Sequence, residues 1–442
     1  MNKNDLITLK IEGYSSAGEG VSRRGGRVVF TRQALLGETV EARVLKVSGR
    51  VCWAGVERVL EASGERVRPA CPNFGRCGGC DFLHMTYAEE LRQKKQRVVD
   101  AFSRIGGLEA PSPADPVPSP LIEGYRNKTI FRVGRTPLGK TVTGFYRERS
   151  RDVVPCPDCL VQGKSSLKAA EAFREWADRE KLDGGAARHL FVREGDGVQV
   201  ALVTPGPGLA KADGLVSFLL GRLPEIASIL LIADNKIKGP ALAGNLKVLH
   251  GADYLEDSVA GLRYRLDPRA FYQINRPQAE NLYAEVKRLA GLQAGDSLLD
   301  LYCGAGAVAL TLAGAGVDVR GADNVPESIE NATANAFINN IPQAKFMLAD
   351  AAEAAARLQK MRVAPGVVTV DPPRKGLAPE VIDAVALLRP EKIIYASCDP
   401  ATLARDVRLF AGRRYDLAET KIIDMFPRCA HVETIVKLVR NS

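Results

Sequence analysis

The sequence predicts an α/β protein. Its C-terminal part is expected to be a Rossmann-like, doubly wound and mostly parallel sheet, preceded by an α+β central domain and an N-terminal OB-like β-barrel. The length of 442 residues corresponds to about three domains of roughly 150 residues, and 46% hydrophobic residues suffice to give each domain a core. Short apolar runs separated by helix-length stretches indicate buried parallel strands. These runs are residues 297–301, 317–320, 366–370 and 392–396.

The regions before this sheet show other patterns. Residues 1–60 alternate polar and apolar residues in short runs with glycine turns between them, as is typical of a small β-barrel. Residues 61–265 mix strand and helix patterns, which predicts an α+β domain. Within them, the proline-rich stretch 110–120 predicts an extended linker, because each proline removes an N–H donor and restricts the residue before it. The third predicted domain spans residues 266–442.

Positive charge is concentrated in one stretch of the central domain. Lys and Arg number 61 against 52 Asp and Glu, a net charge of +9. Residues 124–151 hold eight basic side chains against the single acid Glu148, so this stretch alone carries +7. The charge indicates a polyanion partner such as RNA, and a solvated basic face is the alternative. The predicted RNA contacts are Arg126, Lys128, Arg132 and Arg135.

The sequence shows neither the apolar run of a membrane-spanning helix nor the pattern of a secretory signal peptide. The longest apolar runs fall far short of the roughly 20 residues that span a bilayer. Charged residues such as Lys3 and Asp5 interrupt the N-terminus where a signal peptide needs an apolar core, so a cytoplasmic location is expected. Nine cysteines, an odd number, favour metal-binding or catalytic roles over a disulfide framework.

A candidate ligand site lies in residues 298–306, where an apolar strand runs into a glycine turn and then a helix pattern. Glycines such as Gly304 let a ligand approach the backbone closely. Nineteen positions later Asp323 ends the next strand and is placed to accept ribose hydroxyls. The pattern suits NAD or S-adenosylmethionine alike, and a plain strand-to-helix turn is the structural alternative.

Further polar residues at strand ends favour S-adenosylmethionine. Asp371 precedes two prolines after one strand, and Asp350 follows another, where it could meet an adenine amino group. The segment 271–275, which contains Gln273, precedes the first helix of the sheet and could close over the ligand. Each Asp could instead be a helix N-cap, but their recurrence at successive strand ends favours a site.

The residues that could carry chemistry are a thiol and a carboxylate. Cys398 lies just past a strand at a helix start, where backbone N–H groups and the helix dipole are expected to favour the thiolate. Glu433 opens the last apolar strand, a costly position unless it has a task. Together with a methyl donor they suit methylation at C5 of a pyrimidine, which needs a thiol at C6 and a base for the C5 proton. Arg374, not an aromatic residue, follows the two prolines, which disfavours amino methylation.

These motifs resemble the bacterial 5-methyluridine RNA methyltransferases, the family of the rRNA and tRNA uracil-C5 enzymes, over essentially the whole chain. The matching motifs are residues 299–306, 371–376, 397–406 and 425–433. The resemblance implies Cys398 as nucleophile, Glu433 as base, and a TRAM-like, OB-fold RNA-binding module near residues 1–60. One departure is Ala307, where some members have Asn. The implied S-adenosylmethionine contacts are Gln273, Tyr302, Asp323, Asp350 and Asp371.

A cysteine cluster completes the set of motifs. Cys71, Cys77 and Cys80 have the spacing C-x5-C-x2-C, and a fourth thiol is available from Cys156 or Cys159. Four thiolates suit zinc or an iron–sulfur cluster equally. Resemblance to the iron–sulfur members of the family implies a [4Fe-4S] cluster with Cys156 as the fourth ligand.

The sequence thus predicts an S-adenosylmethionine-dependent uracil-C5 methyltransferase that acts on 23S rRNA, with tRNA as the alternative substrate. The target uridine must be unpaired or flipped, because a thiol cannot reach C6 inside a stacked helix. A rival from another class is a non-catalytic iron–sulfur RNA-binding protein. A monomer without a membrane or an obligate protein partner is expected.

Overall fold

The computed structural model describes residues 1–108, 113–148, 150–235, 239, 241–314 and 316–441. Its N-terminal region is a six-stranded sheet in the order β1-β5-β6-β4-β3-β2. Apolar side chains that alternate along these strands, such as Val40, Ala42 and Val44, form its core. The strands are β1 (Leu6–Lys10), β2 (Gly13–Tyr14), β3 (Gly20–Arg24), β4 (Arg27–Arg32), β5 (Thr39–Ser48) and β6 (Val51–Glu61).

A cysteine-rich segment follows and leads into helix α1 (Tyr87–Ala101), which continues as a π-helical turn (Phe102–Gly106). The helix begins where the Thr86 side chain accepts a hydrogen bond from the Glu89 backbone N–H. Residues 113–120 are extended, and Val117 bridges to Ile423. The predicted linker is therefore extended where it is described, while residues 110–112 lie outside the described residues.

The central region is built on a seven-stranded sheet in the order β13-β12-β11-β10-β7-β8-β9. Two helices pack on it, and their apolar faces, with Phe173 and Trp176 fully buried, fill the core. Its elements are β7 (Lys128–Arg135), β8 (Thr141–Tyr146), β9 (Val153–Pro155), α2 (Lys164–Arg179), β10 (His189–Glu194), β11 (Val198–Thr204), α3 (Ala212–Arg222), β12 (Ile226–Ala233) and β13 (Asn245–Gly251).

A two-stranded hairpin leads into the C-terminal seven-stranded sheet, whose order is β18-β17-β16-β19-β20-β22-β21. The elements are β14 (Leu255–Val259), β15 (Leu262–Leu266), α4 (Arg276–Ala290), β16 (Ser297–Leu301), α5 (Ala307–Leu312), β17 (Asp318–Asp323), α6 (Pro326–Ile338), β18 (Ala344–Leu348), α7 (Ala351–Lys360), β19 (Val367–Val370), α8 (Pro379–Leu387), β20 (Lys392–Ser397), α9 (Pro400–Ala411), β21 (Tyr415–Ile423) and β22 (Glu433–Arg440).

The strands from β16 to β20 are all parallel, and β19 and β20 are almost wholly buried because cores lie on both faces of the sheet. Parallel strands of this kind present their carboxyl ends at one edge. The predicted fold class is confirmed, whereas the limits of the three domains, 1–60, 61–265 and 266–442, stay predictions. No helix among the described residues is long and apolar enough to cross a membrane.

Candidate active site and cysteine cavity

The first polar turn lies between β16 and α5. Tyr302 adopts φ +63°, Gly304 φ +54° and Gly306 φ +84°, so the chain reverses through left-handed conformations before the helix starts. A Cβ on Gly306 would lie 3.2 Å from the Ala332 side chain, which explains why glycine is needed there. The turn lies at the carboxyl edge of the sheet.

Asp323, the last residue of β17, fixes this turn. Its Oδ2 accepts a hydrogen bond from the Gly304 N–H (3.0 Å), and its Oδ1 accepts one from the Val325 N–H (2.9 Å). Each carboxylate oxygen keeps a second lone pair for a ligand hydroxyl. The next strand end carries Asp350, which caps α7 by accepting from the Glu353 N–H (2.8 Å). Asp350 is therefore an N-cap, as the alternative interpretation held, and its side chain is also exposed.

A buried carboxyl supports the same turn from below and was not singled out by the sequence. Asp300 on β16 accepts from the Thr369 hydroxyl (2.6 Å) and from the Ala309 N–H (3.1 Å). Burial raises the pKa of Asp300 to about 7. Gln273 is buried in the segment before α4, where its carbonyl accepts from the Asn127 side chain (3.1 Å).

The thiol and the carboxylate predicted to do the chemistry meet at this edge. Cys398 follows β20, and Asp399 caps α9 by accepting from two backbone N–H groups. Glu433 opens β22, which runs antiparallel to β20 with Ser397 paired to Thr434. Asp371, directly after β19, raises the pKa of both Cys398 and Glu433 through its negative charge.

The expectation that the helix start makes Cys398 a thiolate is wrong. Burial, followed by the charges of Glu433 and Asp371, raises the pKa of the thiol to about 11, although Arg374 acts in the opposite direction. Desolvation of the charged form and two nearby carboxylates outweigh the helix N-terminus. The resting thiol is therefore protonated near neutral pH.

Glu433 is 4% exposed, and its Oε1 has no hydrogen-bond partner among the described residues. Burial, and then Asp371, raise the pKa of Glu433 well above its ordinary value. A buried carboxyl without a partner is costly in a folded protein unless a ligand or a reaction uses it.

Two arginines near the pair, Arg374 and Arg97, were not assigned a role from the sequence. Arg374 lowers the pKa of Cys398, and its guanidinium lies 2.8 Å from His431 Nε2. Burial, with Arg374 and Arg97, lowers the pKa of His431 to about 4, so the neutral ring accepts from Arg374. Arg374 was visible in the Asp-Pro-Pro-Arg motif, but Arg97 comes from α1 and left no sequence signal.

The cysteine-rich segment lines a cavity of about 180 Å³. Cys77 hydrogen-bonds Cys156 across it, and the Asn73 amide donates to Cys156 Sγ (3.8 Å). No three Cys, His, Asp or Glu side chains within the described ranges lie close enough together to hold a single metal ion. The cysteines that line the cavity are Cys71, Cys77, Cys80, Cys156 and Cys159.

The four predicted RNA contacts have different surroundings. Arg126 lines the cysteine cavity and donates to Cys429 Sγ (3.6 Å). Burial, and then Arg193, lower the pKa of Lys128 to about 7. Arg132 lies over the Tyr146 ring, 4.4 Å from its centroid, and Arg135 is exposed. Arg149 of the same basic stretch lies outside the described residues.

Comparison with known proteins decides the family. The family profile described as tRNA (uracil-5-)-methyltransferase matches residues 237–441. An RNA methyltransferase of Halalkalibacterium halodurans is 32% identical over 448 residues, which cover 99% of this chain and 98% of that protein. The chain belongs to the 5-methyluridine RNA methyltransferase family. A second RNA methyltransferase of the family, from Clostridium acetobutylicum, is also 32% identical and covers 100% of this chain.

A solved structure extends the likeness to the whole fold of this 5-methyluridine methyltransferase. The crystal structure of Pyrococcus abyssi tRNA (uracil-54, C5)-methyltransferase, in complex with S-adenosyl-L-homocysteine, is 28% identical with a TM-score of 0.80. The match covers 98% of this chain and 99% of that chain. The likeness therefore extends over nearly the whole length of both chains.

Proposed function

We propose that the protein methylates C5 of a uridine in structured RNA through a covalent bond between Cys398 and C6 of the base. The observation that carries the proposal is the meeting of Cys398, Glu433 and Asp371 at the edge that also holds the Tyr302–Gly306 turn. An amine methyltransferase would need neither the thiol nor the base.

S-adenosylmethionine, when bound, supplies an electrophilic methyl group. The described residues fit such a donor, because the glycine turn lies at the carboxyl edge of the sheet and Asp323 retains acceptor capacity. The residues proposed to hold it are Gln273, Tyr302, Gly304, Asp323, Asp350 and Asp371.

The chain's own residues then act in a fixed order. Cys398 loses its proton to solvent, and its sulfur, as a thiolate stabilised by Arg374, adds to C6 of the uracil. After C5 has gained the methyl group, Glu433 in its ionised form removes the C5 proton and the C6–S bond breaks, which releases the product and returns the thiolate. Once Glu433 is ionised, its raised pKa makes the carboxylate a stronger base for this proton.

The proposed substrate is 23S rRNA, and tRNA is the second candidate. The likeness to the Pyrococcus abyssi tRNA enzyme over 98% of this chain is the observation that supports tRNA as the second candidate. Methylation of unmodified 23S rRNA and tRNA transcripts by the purified protein, followed by mapping of 5-methyluridine, separates them. We further propose that residues 1–60 bind RNA as a TRAM-like module and that the protein is cytoplasmic.

Two variants test the covalent mechanism. Cys398→Ala should form no adduct and transfer no methyl group while S-adenosylmethionine still binds, because the donor pocket uses other strand ends. Glu433→Gln should transfer the methyl group but stall before elimination, because a carboxamide cannot take the proton. A methylated protein–RNA species should then survive denaturing electrophoresis.

Other results would count against this mechanism. Turnover of Glu433→Gln near the wild-type rate, or an adduct in Cys398→Ala, would refute the assigned roles, and Cys303 or Cys429 would be the next thiol to test. A wild-type protein that binds RNA without methylating either transcript would support the non-catalytic alternative.

We also propose that the cysteine cavity holds a [4Fe-4S] cluster on Cys71, Cys77, Cys80 and Cys156. A cluster spreads its four thiolates over four irons, whereas one zinc needs every sulfur about 2.3 Å from its centre. The support for the proposal is that the cysteines named for the cluster all line one cavity. The proposed role is structural.

Metal content tests this assignment. Protein purified without oxygen should be brown and contain about four irons per chain. Cys156→Ser should lose more iron than the matched variant Cys159→Ser. A colourless protein with one zinc would refute the cluster, and equal iron in both variants would refute the choice of Cys156.

A further inference from the structure

The loop that precedes the proposed base has no regular structure of its own. It is defined here as the catalytic loop, residues 424–432, and it joins β21 to β22. Its two ends are closed by the pairing of Ile423 with Glu433, so Asp424 lies next to the first pair of the ladder. Whatever fixes this loop therefore also fixes the point at which Glu433 enters the active site.

A buried charge group anchors the start of the loop to α1. Lys94 donates to Asp424 Oδ1 (2.6 Å), to Glu90 Oε1 (2.7 Å) and to the Phe426 carbonyl (3.0 Å). Lys94 is 1% exposed, and both carboxylates are fully buried. The Tyr87 hydroxyl donates to the other Asp424 oxygen (2.7 Å). Buried ion pairs of this kind impose a specific geometry and are not easily exchanged for water.

The rest of the loop is held by the residues around α1. Glu90 accepts from the Arg428 N–H (2.7 Å), and Asp81 accepts from the Ala430 N–H (2.8 Å). Arg97 donates to the Ala430 carbonyl. The Cys429 thiol donates to the Gly79 carbonyl (3.2 Å), which joins the loop to the cysteine-rich segment. Residues 79–97, the anchoring segment, thus contact the loop from Asp424 to Ala430.

The base itself has no comparable support. Glu433 Oε1 has no hydrogen-bond partner in the described part of the chain, so its place depends on the backbone that carries it. A displacement of about 1 Å at a reacting group can cost on the order of 100-fold in rate. The anchoring segment contacts the catalytic loop directly, whereas Cys398 lies between the end of β20 and the start of α9.

We propose that the anchoring segment positions the catalytic base, with Lys94, Glu90 and Asp424 as positioning residues for Glu433. The inference rests on the proposed function, because it assigns these residues to the proton-removal step of that reaction. Cys398 is supported by β20 and α9. Loss of the anchor should therefore slow release of the product and leave the preceding methyl transfer nearly unchanged.

The test removes the three charges of Lys94, Glu90 and Asp424 together. The triple variant Lys94→Met, Glu90→Gln, Asp424→Asn keeps the shapes of the three side chains. Tyr87→Phe is a milder second variant that loses one hydrogen bond to Asp424. Lys95→Met is the matched control, because Lys95 is the next residue of α1 and pairs with the exposed Asp115 (2.7 Å).

Three quantities are measured with the transcript that the wild type methylates: S-adenosylmethionine affinity, single-turnover methyl transfer and steady-state turnover. For the triple variant we expect affinity within about twofold, methyl transfer within about threefold, and turnover lower by at least about tenfold. The methylated covalent species should accumulate on denaturing gels. Tyr87→Phe should show the same pattern with turnover about threefold lower, and Lys95→Met should match the wild type.

Equal losses in methyl transfer and turnover without an adduct would show a merely structural role and overturn the proposal. Unchanged turnover in the variants would also overturn it. If the triple variant does not fold, adduct lifetime in Tyr87→Phe decides. Glu433→Gln distinguishes failure of the positioning role from failure of the proposed reaction. If Glu433→Gln accumulates adduct and the anchor variants do not, only the positioning role fails. If Glu433→Gln itself forms no adduct, the proposed reaction fails.

Discussion

Two sheets of this molecule have seven strands each, and they differ in strand direction. Among the described pairs of the central sheet, β11 and β12 run parallel and the other neighbours run antiparallel. In the C-terminal sheet five neighbouring strands are parallel, in the order β18-β17-β16-β19-β20. The parallel sheet therefore gathers the residues that follow its strands at one edge, and the antiparallel sheet distributes them over two.

The one reversal in the C-terminal sheet has a chemical consequence. Because β22 is inserted antiparallel beside β20, its first residue lies at the same edge as the last residue of β20. This places Glu433 beside Cys398. We therefore expect the C-terminal sheet to carry the chemistry and the central sheet to contribute stability and affinity for RNA.

The largest expected effect tests the central sheet as a scaffold. Arg193 on β10 is 1% exposed and donates to the carbonyls of Asp267 (2.8 Å) and Ala270 (2.9 Å), just before the segment that holds Gln273. Arg193→Met should lower the free energy of unfolding by about 2 kcal/mol, because two buried carbonyls lose a charged donor. Urea unfolding measures this change.

Arg222→Met provides the control, because Arg222 pairs with Glu175 at the surface. We expect a change within about 0.5 kcal/mol for this control. If Arg193→Met instead kept its stability and lost methyl transfer at saturating RNA, the division of roles between the two sheets would be wrong.

A smaller effect concerns the thiol at the parallel edge. The positive charge of Arg374 lowers the pKa of Cys398, so Arg374→Gln should raise that pKa further above about 11. The thiolate fraction near neutral pH then falls, and adduct formation should slow by about tenfold per unit of pKa. Because a thiol below its pKa ionises as pH rises, raising the pH should restore the rate.

The pH dependence of single-turnover adduct formation is the measurement, and Lys375→Gln, an exposed neighbour, is the control. A rate that stays lower by the same factor even at pH values above the thiol pKa would contradict activation through that pKa. It would point instead to a contact between Arg374 and the RNA.

The smallest effect concerns RNA affinity. If Arg132 and Arg135 contact phosphates, replacing both by Gln should weaken binding several-fold and lower the salt slope by about one unit per lost contact. The maximal methylation rate should stay unchanged, because neither residue lies at the edge of the C-terminal sheet that holds Cys398 and Glu433. Binding measured from low to moderate salt gives the slope, and an unchanged slope would return the stretch to a solvated basic face.

Much of the fold was predictable because its signals are local. Apolar runs indicated β16, β17, β19 and β20 within a few residues. The strand-end residues of the candidate site followed from the same pattern. The protonation state of Cys398 could not be predicted from this pattern, because it depends on Glu433 and Asp371, which are distant in sequence.

The sequence by itself determined which residues stand at strand ends and which motifs place this chain among the 5-methyluridine methyltransferases. The tertiary structure decided that β22 reverses beside β20 and that Lys94 reaches Asp424, 330 positions away. It also placed Arg126 in the lining of the cysteine cavity. Short-range patterns fix local conformation, whereas these contacts arise from packing between distant segments, which desolvates charges and selects their partners.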